Sequence, residues 1–205
     1  ARLVDSRGEP AAGRPLVFLE KTPKNALRIP FLRAVFPDAR FVFLWRDPRA
    51  NVSSILEAWR AGGWITYPEL PGWDGPWSLL LPPQWQQQRG RSLEEIAAWQ
   101  WDSANRCIVD DLAAVPRDRW TVLSYDALCH SPRATVERLC TRLGLPPDAR
   151  LAARLAAPLP PSRYTLTPPH PDKWRANEAL VARVLPALDS TWRRLAALGE
   201  LQPNE

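Results

Sequence analysis

Phe41, Val42, Phe43, Leu44 and Trp45 form an unbroken run of β-type side chains that stops abruptly at Arg46-Asp47-Pro48-Arg49. A short apolar run with no polar alternation is the pattern of a strand buried on both faces, as in a parallel sheet. Asp47 is a helix-capping residue, and Pro48 suits the first helical position, where no backbone N–H is needed. Val52, Ile55, Leu56 and Trp59 then recur at helical spacing until Gly62-Gly63 stops them. A buried strand running straight into a capped amphipathic helix is half of a parallel α/β unit.

The flanking sequence supplies the other parts. Residues 16–19 read as an earlier buried strand. Leu27, Phe31, Leu32 and Val35 read as the helix that follows it, bent or delayed by Pro30. Ser92 and Glu95 match a capping box at the head of a helix running through Ile96, Trp99, Cys107 and Leu112 to about Val115. Residues 120–123 are a third strand, and Ser131-Pro132 opens a further helix closed by Gly144. A last helix spans about 177–198, interrupted near Pro186. The expected fold is α/β: a parallel sheet flanked by helices in three layers. Two segments break the rhythm. Residues 61–90, rich in Pro, Gly, Trp and Gln, read as a substrate lid or loop insertion, and the six prolines in 158–171 read as an extended loop.

With 205 residues and 45% hydrophobic content, the chain fits one domain spanning 1–205. No stretch approaches the roughly 20 apolar residues needed to span a bilayer. The sequence has no Met and opens on Ala1, so it reads as an incomplete text with material missing upstream. Of 27 basic residues only Lys21, Lys24 and Lys173 are lysine, and Ala and Pro are abundant. That bias points to base composition rather than a nucleic-acid surface, although the net charge of +5 suits an anionic ligand. Cys107, Cys129 and Cys140 form no metal-binding pair, and His130 and His170 lie far apart, so no metal site is expected. Three unclustered cysteines read as small buried residues without disulfides in a reducing, cytoplasmic setting.

Ligands of an open parallel sheet sit beyond the carboxyl ends of its strands, where helix N-termini present free N–H groups. Arg46 leaves the strand at that edge, and Ser54 lies two turns along the following helix. A guanidinium fork and a hydroxyl suit a phosphate, but Arg46 is equally able to pair with Asp47 or Asp126. The first expected strand ends in Glu20-Lys21-Thr22-Pro23-Lys24-Asn25, which would bring a second cation to the same edge.

Taken in order, Glu20-Lys21-Thr22-Pro23, Phe36-Pro37-Asp38-Ala39-Arg40-Phe41 and Arg46-Asp47-Pro48-Arg49 with Ser54 resemble the central block of the sulfotransferases that use 3′-phosphoadenosine 5′-phosphosulfate (PAPS). The resemblance is to a bacterial branch related to tyrosylprotein and heparan sulfate sulfotransferases. It implies a fold similar to P-loop nucleotide kinases, with Arg46 and Ser54 holding the 3′-phosphate of PAPS and of its product PAP. Ser124-Tyr125-Asp126-Ala127-Leu128 is similar to a family segment whose Tyr lies near the adenosine, which implies that role for Tyr125. Lys173-Trp174-Arg175 resembles a C-terminal segment whose Lys reaches a cofactor phosphate, although Trp174 is equally readable as a buried anchor. The family's phosphosulfate-binding loop and its usual general base have no counterpart in the 205 residues.

In-line sulfuryl transfer places growing negative charge on the leaving phosphate, so fixed cations supply most of the help. By resemblance Lys21 is the catalytic cation, with Glu20 orienting it, and His170 is a weaker candidate base. Ser162 and Thr165 are candidates to border the cofactor. Seven of the 11 Trp fall between residues 59 and 101, and aromatic faces suit sugars, phenols or lipid-like acceptors, while Trp99 and Trp101 read as core; the acceptor expected is a small molecule, carbohydrate or peptide. Two other readings stay open: a nucleotide or sugar kinase, which needs a Gly-Lys-Ser/Thr loop, and a non-catalytic module that binds anions or glycans.

Overall fold

The structure, a computed structural model, describes residues 17–145, 148–157, 160 and 170–200. At its centre two strands pair in parallel, β1 (Phe41–Trp45) and β4 (Trp120–Ser124), in register from Phe41 against Trp120 to Trp45 against Ser124. Helix α2 (Pro48–Ala61) follows β1 and helix α4 (Tyr125–His130) follows β4. Because parallel strands run the same way, both helices open at one edge of the sheet.

Local signals place these elements. Asp47 caps α2 by accepting the Arg49 backbone N–H at 2.8 Å, and Gly62 closes it at φ 63°, the left-handed conformation that costs glycine least. Ser92 and Glu95 form the expected capping box of α3 (Leu93–Ala113). Ser124 caps α4 through the Ala127 N–H at 3.3 Å. Helix α7 (Glu178–Glu200) packs with α2 and α3 over the sheet, where Val52, Leu56, Leu112, Val181 and Leu195 are buried with Phe43 and Val122. Each such apolar side chain contributes about 1.5–3 kcal/mol when removed from water.

The structure corrects three expectations. Residues 17–20 form no strand: Val17, Phe18 and Leu19 are 68%, 81% and 87% exposed, and Leu16 lies outside the described residues. An apolar run becomes a strand only where a neighbour takes up its N–H and C=O groups, and among the described residues β1 pairs with β4 alone. The three-layer arrangement is therefore seen as two parallel strands with helices packed on the Phe43 side. On the other face Val42 and Leu44 are 39% and 45% exposed. Second, α7 runs unbroken through Pro186. Pro186 and Ala182 are both exposed, so the carbonyl whose intrahelical bond the proline removes lies on the side open to solvent donors. Third, none of the three cysteines is fully buried: Cys129 is exposed, Cys107 and Cys140 are half-buried, and all three are free thiols.

Shorter elements complete the order: α1 (Ile29–Val35), α5 (Pro132–Leu143) and α6 (Ala149–Ala156). A 3₁₀ helix, Pro23–Leu27, takes Leu27 out of α1, so Pro30 falls in the first helical turn, where it is tolerated. Within 61–90, β2 (Ile65–Tyr67) and β3 (Trp77–Ser78) form an antiparallel pair. This segment is fastened to the helices beneath it. Trp77 is fully buried and meets Trp59 of α2 and Trp99 of α3 edge-on, at 5.2 and 6.3 Å between ring centres. Gln100 of α3 donates to the carbonyls of Ser78 at 3.0 Å and Leu80 at 2.5 Å while accepting from Trp59 Nε1 at 2.8 Å. Among the described residues no helix is long and apolar enough to cross a membrane, and no three His, Cys, Asp or Glu side chains are grouped to hold a metal ion.

Candidate functional site

Arg46 and Tyr125 are each the first residue after a strand, and the register that sets Trp45 opposite Ser124 makes them neighbours. The Arg46 guanidinium carbon lies 4.6 Å from the centre of the Tyr125 ring, a cation–π contact. Arg46 Nη1 donates to Ser54 Oγ at 3.0 Å, and the Ser54 hydroxyl donates to the Ala50 carbonyl at 2.9 Å. The chain turns back at Asp47-Pro48, as a joint role for Arg46 and Ser54 requires. Arg46 Nε is buried and has no hydrogen-bond partner among the described residues. A buried N–H left unmade costs about 1–3 kcal/mol, so this atom marks a place that favours an acceptor.

Neither carboxylate that the sequence offered to Arg46 takes it. Asp47 is gripped by Arg49, through Nε at 3.0 Å and Nη2 at 2.7 Å. Burial pushes the Asp47 carboxyl up, but the hydrogen bonds and charge of Arg49 outweigh this and hold it below the usual carboxylate range. Among the described residues Asp126 makes no ion pair with Arg46 and is exposed. The Tyr125 phenol is pushed up by burial and by the neighbouring Cys129 thiol, against a smaller opposing pull from Arg46. Tyr125 is therefore a neutral hydroxyl at physiological pH, a donor as well as an aromatic face.

The C-terminal segment reaches the same end of α2. Lys173–Asn177 is a 3₁₀ helix, and Trp174 stands 5.2 Å from Arg49 and 5.2 Å from Arg175, measured from ring centre to guanidinium carbon. Trp174 and Lys173 are half-buried, whereas Arg175 is exposed and pairs with Asp172 at 3.1 Å and Glu178 at 3.3 Å. Two clusters thus gather around the first turns of α2: Arg46, Ser54 and Tyr125, and Arg49, Trp174 and Arg175. An open cleft of about 510 Å³ lies beside Arg60, Arg175 and Asn177, but its cations are already matched by Glu57, Asp172 and Glu178.

The remaining candidates sit elsewhere. Glu20 and Lys21 are exposed in the irregular segment ahead of the first 3₁₀ helix. Glu20 accepts a hydrogen bond from the Asn25 side-chain amide, closing that turn. Lys24 lies 5.3 Å over the ring of Tyr67, tying this segment to β2. His170 is exposed, and its Nδ1 accepts the Asp172 backbone N–H at 3.1 Å, a turn-closing role. Ser162 and Thr165 lie outside the described residues.

Two residues of this region had no role in the sequence reading. Arg49 stood in the Arg46-Asp47-Pro48-Arg49 string, and its position in the first turn of α2, two residues after a capping carboxylate, was the available signal. Asn177, buried against α2, carried no signal, because all its partners lie more than a hundred positions away.

Residues 3–149 match the model of a family described as the sulfotransferase family. Among solved structures, the chain is similar to the sulfotransferase domain from the curacin biosynthetic pathway, at 20% identity and a TM-score of 0.50 over 68% of this chain. That likeness concerns the fold, and the chain spans 42% of the length of that structure. No curated protein matches.

Proposed function

The chain belongs to the sulfotransferase family, and from this we propose that it transfers a sulfuryl group from PAPS to a hydroxyl or amine acceptor. PAPS, when bound, supplies an activated sulfuryl group on a phosphosulfate anhydride, leaving PAP. The observation that carries the proposal is the juxtaposition of Arg46, Ser54 and Tyr125 at the carboxyl end of the parallel strands, with Arg46 Nε buried and unpartnered among the described residues.

These side chains fit the 3′-phosphate end of such a nucleotide. Arg46 offers a guanidinium already oriented by Ser54 and Tyr125, so little side-chain freedom is lost on binding. The Ser54 hydroxyl turns from the Ala50 carbonyl toward the phosphate, exchanging a backbone acceptor for a charged one. Tyr125 would face the adenosine as a neutral phenol. Arg49, held on Asp47, and Trp174 beside it form a polar and aromatic wall, and Lys173 is proposed as the ammonium for a second phosphate. Lys21 is proposed to neutralise charge on the transferring group. Glu20, whose bond to Asn25 closes the turn that carries Lys21, is proposed to orient that lysine. The acceptor is proposed to be a small molecule, carbohydrate or peptide that approaches along the 61–90 segment, whose Tyr67 meets Lys24.

Calorimetric titration with 3′,5′-ADP, 2′,5′-ADP and ATP tests this reading. A clear preference for 3′,5′-ADP supports it. Equal affinity for all three, or tightest binding of ATP, contradicts it and favours a kinase-like or general anion-binding role.

A further inference from the structure

One side chain of the C-terminal segment makes three hydrogen bonds to α2. Asn177 is 4% exposed. Its Nδ2 donates to Ser53 Oγ at 3.0 Å and to Glu57 Oε1 at 2.8 Å, and its Oδ1 accepts from Arg60 Nη1 at 2.6 Å. Ser53, Glu57 and Arg60 follow one another at spacings of four and three residues, so they line one face of α2. The same helix carries Arg49 and Ser54. Asn177 ends the 3₁₀ helix in which Trp174 meets Arg49.

Packing alone would be served at this position by an apolar side chain. An amide with both N–H groups and its oxygen engaged does something different: only one orientation satisfies all three bonds, and a partly or fully buried donor or acceptor left unmade is costly. Rotating or sliding the segment along α2 would break them together. The position of Trp174 relative to Arg49, and through it the wall beside Arg46 and Ser54, is therefore set by Asn177.

We propose that Asn177 is a positioning residue of the nucleotide site, holding Lys173, Trp174 and Arg175 in place from behind and so setting affinity for the nucleotide without touching it. This rests on the reading that the segment borders bound PAPS or PAP. Asn177→Asp keeps the shape but turns a carboxylate against Glu57. Glu57→Gln in that background returns an amide donor facing a carboxylate, so the bond is remade with donor and acceptor exchanged. Glu57→Gln alone leaves an oxygen for Asn177 to donate to.

The experiment is calorimetric titration of the full chain with 3′,5′-ADP, with circular dichroism confirming that each variant is folded. Asn177→Asp is expected to weaken binding about ten-fold, in proportion to one disrupted charged or buried bond, and N177D/E57Q to recover most of that loss. In a Trp174→Ala background Asn177→Asp is expected to cost clearly less than in the unaltered chain, because only Lys173 and Arg175 remain for it to position. Ser53→Ala, which removes a single bond, carries the same expectation in milder form if Asn177→Asp does not fold. Unchanged affinity in a folded Asn177→Asp or Ser53→Ala, no recovery in the double variant, or full additivity with Trp174→Ala would overturn the inference while leaving the proposed function standing. An unaltered chain that binds no 3′,5′-ADP would overturn both.

Discussion

Arg46 lies over the Tyr125 ring at 4.6 Å because each residue is the first beyond a strand end and those ends are paired. The contact is thus a product of sheet register rather than of either residue alone. Removing the ring should loosen Arg46: Tyr125→Ala is expected to weaken 3′,5′-ADP binding by several-fold, in line with a partly buried cation–π contact of about 0.5–2 kcal/mol. Tyr125→Phe keeps the aromatic face and should retain most of the affinity. Titration of both variants separates the ring from the hydroxyl. A larger loss in the Phe variant would mean that the phenol itself binds ligand.

Asp47 links helix capping to charge. Burial would raise its carboxyl, yet Arg49 and the backbone N–H groups hold it below the ordinary value of about 3.9. A carboxyl that binds its proton less tightly when folded stabilises the fold fully above the unfolded value, and that contribution fades as pH falls through the folded one. Asp47→Asn keeps a capping acceptor but removes the charge. Its melting temperature should lie below that of the unaltered chain at pH 7, with the gap closing below about pH 4. A gap that is constant with pH would show that the ion pair with Arg49 contributes nothing to stability.

Trp77 anchors the 61–90 segment, with its ring fully buried and its Nε1 donating to the Leu80 carbonyl at 2.9 Å. Trp77→Ala should cost about 3–5 kcal/mol, the range for deleting a buried aromatic side chain. Denaturant unfolding measures this directly. A loss below 1 kcal/mol would mean that the segment folds back without its anchor.

Lys21 is exposed in the segment that leads to the Lys24 and Tyr67 contact. If it stabilises the transferring group, Lys21→Ala should lower kcat far more than it raises the dissociation constant of 3′,5′-ADP, because the interaction is made only in the transition state. Equal losses in both would make Lys21 a binding residue.

The elements that local signals specify were legible in the sequence. β1 is an uninterrupted apolar run, and α2 and α3 carry caps whose donors and acceptors lie within three residues. Residues 17–19 show the limit of that logic: their composition suits a strand, but a strand exists only with a partner, and partners are set by tertiary structure. The same holds for the site. Arg46 and Ser54 are eight residues apart and legible together from the turn between them, whereas Trp174 meets Arg49, and Asn177 meets Ser53, across more than a hundred residues. Pro186 misleads in the opposite direction, since a proline breaks a helix only where the freed carbonyl finds no other donor, and here Ala182 and Pro186 are both exposed to solvent.

The most direct measurement of the account is a cycle between ligand and protein: the affinities of 3′,5′-ADP and of 5′-AMP for the unaltered chain and for Arg46→Ala. If Arg46 holds the 3′-phosphate, removing that phosphate should weaken binding to the unaltered chain by at least about ten-fold and leave binding to Arg46→Ala almost unchanged. An equal loss in both proteins would contradict the assignment, because the 3′-phosphate would then be recognised by something other than Arg46.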